Sequence, residues 1–178
     1  MKPLSKRESN KQKDLAAYKC YSGELLSAPA VQKMAAFIQH GDTTCLQHVM
    51  AVAYFSLRLS RCLHVRCHQR EMIRGALLHD FFLYDWHEKR GHHSWHGFTH
   101  PAAALRNASL LCPLTERERD IIVKHMWPLT LKFPRYRESY IVCLADKICS
   151  LQETFRSHPY GKLQKELTNR LLPATEKG

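Results

Sequence analysis

From about Ala28 onward, apolar residues recur every three or four positions, and strand-like alternation is absent. The pattern predicts helix after helix. One helix is predicted over 29–40, closed by Gly41. The next covers 43–63 with Asp42 as its N-cap; Cys45, His48, Val52, Phe55 and Leu59 share its inner face. A third covers 69–84. Ile73, Leu77, Asp80 and Tyr84 line one side of it, with Met72, Ala76, His79 and Leu83 alongside. A fourth begins in "FTHPAAALRNASLL", with Thr99 as N-cap, Pro101 in the first turn and His100 at the helix entrance. Thr115 and Glu118 fit a T-x-x-E capping box, and the helix they open groups Ile121, Ile122 and His125 near its end. A helix over 138–155 turns Val142, Cys143, Asp146 and Cys149 inward, and a short one is expected over 160–172. The polar, basic residues 1–14 read as a loose tail. The expected plan is all-α: tail and lead-in over 1–27, one domain over 28–172, and a C-terminal tail over 173–178.

Composition agrees with a globular chain, since 44% of the 178 residues are hydrophobic. The formal charge of +11 favours anionic partners, although solubility alone also accounts for scattered surface charge. Nucleic acid stays among those partners without an RNP, KH or comparable motif to support it. Seven cysteines, none in a C-x-x-C pair, argue against a disulfide framework and for a reducing compartment. The opening "MKPLSKRESNKQKD" lacks a following apolar stretch of the secretory type, and no run approaches the ~20 residues of a membrane span. A cytoplasmic protein without membrane association is expected.

The periodicity carries polar residues inward. His48, His79, Asp80, His100, His125 and Asp146 fall on apolar faces or at a helix entrance. One buried histidine is ordinarily a hydrogen-bonded core residue. Six such groups would need a separate network each, because an unpartnered buried polar group costs several kcal/mol. Convergence on a divalent metal satisfies them together, since neutral imidazole and carboxylate suit Mn, Fe, Co, Ni or Zn. Periodicity leaves the number of ions open.

The order H…HD…D resembles the HD-domain superfamily of metal-dependent phosphohydrolases, with His48, His79-Asp80 and Asp146 at the matching positions over about residues 43–155. "GFTHP" with His100 and "IIVKHM" with His125 resemble the extra histidines of its binuclear branches, including the branch that cleaves symmetrical dinucleoside tetraphosphates. Two features depart from those branches. Phe81, Phe82 and Leu83 stand where that branch often has a lysine, and no GYP motif is present. The resemblance implies a compact helical HD-domain bundle with a central site for divalent ions, two in number. Asp80 would bridge them as the central catalytic residue. His48, His79 and Asp146 would complete one coordination sphere, and His100 and His125 would serve the other. The implied activity is hydrolysis of a phosphoester or phosphoanhydride of a nucleotide-type substrate by metal-activated water. The alternative is a catalytically silent metal-binding sensor or interaction module.

Cations near the motif residues are candidates for holding substrate phosphate: Lys124, Lys147, Arg135 and Arg137. Each alone also reads as a solvated surface charge. Asp85 and His87, shortly after the HD pair, are candidates for supporting the ligands or carrying protons. His92, His93 and His96 are expected in a loop at the mouth of the site, flanked by Trp86, Trp95 and Trp127 as rim or core aromatics.

Overall fold

The structure is a computed structural model and describes residues 5–85, 96–156, 159–161, 163 and 167. It is all-α apart from one small hairpin. Helix α1 spans Lys6–Ser27, α2 Pro29–Gln32, α3 Cys45–Cys62, α4 Gln69–Leu78, α5 His96–Leu111, α6 Glu116–Lys124 and α7 Arg137–Phe155. Among the described residues, no helix is long and apolar enough to cross a membrane.

Helix α4 is the centre of the packing, with α1, α3, α5, α6 and α7 all against it. Met72, Ile73, Ala76, Leu77 and Leu78 are fully buried there. Gly75 lets α6 approach, since a Cβ at that position would lie 2.6 Å from Ile121 Cδ1. Arg74 and Glu118 lock the same two helices by a buried 2.7 Å charged hydrogen bond.

Several expected boundaries move. From residue 6 on, the expected tail is the first half of α1, capped by a Ser5–Glu8 box. Its first turns are polar all round, so periodicity gives no signal before Leu15; the helix then buries Leu15, Tyr18, Leu25 and Leu26. The helix expected over 29–40 breaks into α2, a 3-10 turn at Lys33–Ala36, and strand β1 at Ile38–His40. Strand β1 pairs antiparallel with β2, Thr43–Thr44. Gly41 turns the hairpin at φ +58°, with the Glu153 carbonyl so close that a Cβ would lie 2.7 Å from it. Thr44, not Asp42, caps α3, through a reciprocal box with Gln47.

Helix α4 stops at Leu78 rather than Tyr84. Beyond it the chain tightens: the Phe82 N–H donates to the Asp80 carbonyl, Asn107 Nδ2 to the Phe81 carbonyl, and Leu83 takes φ 55°. Helix α5 starts upstream of Thr99, so His100 lies inside the helix, beside Pro101, and not at its entrance. The Thr115–Glu118 box is present as expected, and α7 matches the predicted helix within one residue. The helix expected over 160–172 falls largely outside the described residues.

Candidate metal centre

The six motif residues converge, each at most 8% exposed. Helix α3 supplies His48 from its first turn. The end of α4 supplies His79 and Asp80, α5 His100, the end of α6 His125, and α7 Asp146. Five helices thus aim side chains into one small volume.

The geometry is ordered around Asp80. Its Oδ2 lies 3.4 Å from His79 Nε2 and 3.7 Å from His48 Nε2. Its Oδ1 lies 3.1 Å from His100 Nε2 and 3.4 Å from His125 Nε2. Asp146 Oδ1 stands on the first side, 3.1 Å from His48 Nε2 and 3.7 Å from His79 Nε2. The ligand atoms of His48, His79 and Asp146 lie within 4.8 Å of one another, as do those of His79, Asp80 and His125.

Backbone and carboxylate partners fix the histidine tautomers. His79 Nδ1 is 2.7 Å from the Ala76 carbonyl and His125 Nδ1 is 2.9 Å from the Ile122 carbonyl. A carbonyl only accepts, so Nδ1 carries the proton in both rings and Nε2 faces the centre. His48 Nδ1 donates to the buried Glu153 carboxylate at 2.9 Å, again turning Nε2 inward. This carboxylate–imidazole arrangement is the usual support of a metal-binding histidine.

The set fits a cation better than it fits itself. His79 Nε2 and Asp80 Oδ1 are buried and make no hydrogen bond of acceptable geometry among the described residues. His100 Nε2 and His125 Nε2 face each other at 2.7 Å. On His125, Nδ1 already donates to a carbonyl, so its Nε2 presents a lone pair when the ring is neutral. Buried donors and acceptors are rarely left unmet in folded proteins, and a divalent ion meets several at once.

Charge follows the same division. Burial opposes protonation of His48, but hydrogen bonds to Asp146 and Glu153 outweigh it and raise the pKa to about 9. Burial likewise opposes a charged His79, and Asp80 and Asp146 more than reverse it, so its pKa is well above the ordinary imidazole value. Burial would raise Asp80; His79, His100 and His125 instead hold it well below the carboxylate range. Asp146 is depressed in the same way by His48 and His79. His125 is lowered by burial and by the neighbouring His79 and His100. One side of the centre therefore stores protons that a metal would displace, and His125 on the other side favours a bare ring nitrogen.

Two residues join the site that sequence reading did not single out. Gln39, from β1, donates through Nε2 to Asp80 Oδ2 at 2.6 Å, and its Oε1 accepts from Cys45 Sγ at 3.0 Å. Glu153 holds His48. Glu153 lies seven positions after Asp146, two helical turns on the same face, and that spacing could have revealed it. Gln39 had no such signal, because it sits in a strand three residues long.

The expected phosphate-binding cations separate. Lys147 stays near the centre, its Nζ donating to the His125 carbonyl at 3.1 Å and the Cys143 carbonyl at 3.4 Å. Lys124 pairs with Asp120. Arg135 leans over the Tyr136 ring. Arg137 donates to the Arg66 carbonyl, near the start of α4 and about 15 Å along that helix from the HD pair. Asp85 follows the turn after the HD pair and is partly exposed. Trp127 packs edge-on against Tyr140. His87, His92, His93, Trp86 and Trp95 lie outside the described residues, as does the side chain of His96.

Compared with protein-family models, curated proteins and solved structures, the chain finds no match in any of the three.

Proposed function

We propose that this chain is a metal-dependent phosphohydrolase that uses water to cleave a phosphoester or phosphoanhydride of a nucleotide-type substrate. One observation carries the reading: the two oxygens of buried Asp80 face two different sets of imidazoles. A carboxylate so placed suits a bridge between two cations. His48, His79 and Asp146 would hold one, and His100 and His125 the other. The order of these residues along the chain resembles the HD-domain superfamily, which supports the same assignment.

Bound divalent ions would supply Lewis acidity, making water a competent nucleophile near neutral pH and offsetting phosphoryl charge. The protein's own residues set the conditions for that chemistry. Glu153 and the Ala76 and Ile122 carbonyls fix the imidazoles, so little reorganisation is needed when ligands bind. Gln39 restrains Asp80 at Oδ2. Lys147, held beside His125, would help draw in a phosphate. None of the buried cysteine thiols serves as a nucleophile. Burial pushes Cys45 and Cys149 well up, the latter to about 12, so both remain protonated.

The test is a hydrolysis screen. Protein purified without chelator is offered nucleotides, dinucleoside polyphosphates and phosphodiesters with Mn, Co, Fe or Mg. Turnover lost on Asp80→Ala supports the assignment. Turnover that survives this change unaltered contradicts it, and bound metal without turnover across the screen identifies a metal-binding sensor instead.

A further inference from the structure

Away from the metal centre, three clefts run together along the loop between α3 and α4. The first, of 630 Å³, lies between the start of α1 and the end of α3, and Lys6, Arg7, Lys11, Arg58 and Arg61 line it. The second, of 510 Å³, shares Arg61 and His64 with the first and adds Arg66. The third, of 220 Å³, shares Arg66 and Cys67 with the second and adds His68, Arg117 and Arg137. Shared lining residues make them neighbours along one strip of surface, a basic track.

Eight lysines and arginines line this track with one acid among the lining residues, Asp14, and Arg117 is paired at 3.7 Å with buried Glu138 behind it. Asp14 is buried and already paired with Arg61. Lys6, Arg7, Arg58 and Arg66 are exposed and have no carboxylate partner among the described residues. The whole chain carries 27 basic and 16 acidic side chains, an excess of 11, and the eight bases and one acid lining these clefts account for seven of it. Cations crowded on one strip repel each other, and a polyanion relieves that repulsion while releasing its own counterions.

The shape narrows the ligand. Three adjoining clefts offer successive positions for phosphate, more than one mononucleotide needs. Among the described residues no Phe, Tyr or Trp lines them, so the contacts on offer are to phosphate and not to stacked bases. Guanidinium groups read phosphate oxygens, which carry no sequence information. Concave clefts suit a flexible strand better than a stiff duplex, whose persistence length is about 50 nm.

We propose that this track binds the sugar–phosphate backbone of single-stranded nucleic acid, without sequence preference. The inference is independent of the hydrolytic reading, because the track lies at the opposite end of α4 from His79 and Asp80.

The test uses the full chain and fluorescence anisotropy with labelled single-stranded RNA and DNA of equal length, the matching duplex, and inorganic polyphosphate. The variant is Arg58→Glu with Arg66→Glu. The control is Arg106→Glu with Lys132→Glu, two exposed cations off the track that change net charge equally. Binding to single strands should fall by about tenfold or more in the track variant, with the salt dependence of log K flattened by about two. The control should lose less than about threefold. RNA against DNA shows which sugar is preferred, and either result supports the proposal. Equal losses in variant and control, duplex bound more tightly than single strands, polyphosphate bound without oligonucleotides, or no binding at all would overturn it. Circular dichroism melting of both variants confirms that the fold is retained.

Discussion

Helix α4 buries two polar groupings along its length, and they differ in kind. Midway, Arg74 meets Glu118, and the pair is complete. Arg74 Nε donates at 2.7 Å and its Nη2 reaches Cys112 Sγ, while Glu118 Oε2 also accepts from the Thr115 N–H at 2.7 Å. At the end of the same helix, His79 and Asp80 sit among more acceptors and imidazoles, with buried atoms left unmet. A closed charge pair between two helices is a structural fastening. An open convergence of ring nitrogens and carboxylate oxygens from five helices is a donor set that could hold a cation. What separates them is satisfaction, since both are equally buried.

This contrast can be broken or sharpened by experiment. Asp80→Ala should lower phosphohydrolase turnover by at least about a thousandfold, because transition-state charge stabilisation is lost. Steady-state kinetics against the substrate found in the screen measures it. Glu118→Ala should leave metal content unchanged but cost about 3–5 kcal/mol of stability, since it strands Arg74 in the core. Urea unfolding checks this, and a loss of metal in this variant would blur the distinction between the two groupings.

Metal itself should stabilise the fold. At a free concentration 100 times its Kd, a divalent ion adds about 2.7 kcal/mol, removable by chelator. Thermal melts of the wild type and of Asp80→Ala should diverge accordingly. Glu153→Gln should weaken metal binding by about 10–100-fold, as the imidazole of His48 loses its carboxylate. Competition titration with a chromophoric chelator reads that directly.

The smallest effect is in pH. His48 has a folded pKa of about 9, above its ordinary value of 6.5. Its contribution to metal-free stability is therefore complete below about pH 6.5 and is lost as pH rises through about 9. Asp80 and Asp146, both depressed, contribute above the ordinary carboxylate value, and their contribution is lost as pH falls towards their folded values. Metal binding must expel the His48 and His79 protons, so metal affinity should climb over the interval in which metal-free stability declines. Melting curves with and without Mn between pH 6 and 9 should converge at the acid end and separate towards the basic end.

Much of this was legible in the residues. Helical periodicity placed His48, Asp146 and Cys149 on buried faces, and the Thr115–Glu118 box opened α6 where its sequence indicated. Other features depend on tertiary contacts that no local pattern encodes. Residues 29–40 have helical spacing, yet Gly41 must fit beneath the Glu153 carbonyl, and the hairpin that results delivers Gln39 to Asp80. Periodicity carries the third helix too far because Phe81, Phe82 and Leu83 continue its apolar side. Its end is set by a tight turn held by Asn107, twenty-six positions away. Arg137 looked close to the site in sequence, but nine helical residues of α7 carry it about 13 Å along the axis from Asp146.

The most direct measurement is metal content by elemental analysis of wild-type protein reloaded with Mn, Fe, Co, Ni or Zn and then freed of excess. The account predicts up to two tightly held divalent ions per chain, and their marked loss in Asp80→Ala. A correctly folded wild-type chain that retains none of these metals, with melting unchanged by any of them, would contradict it.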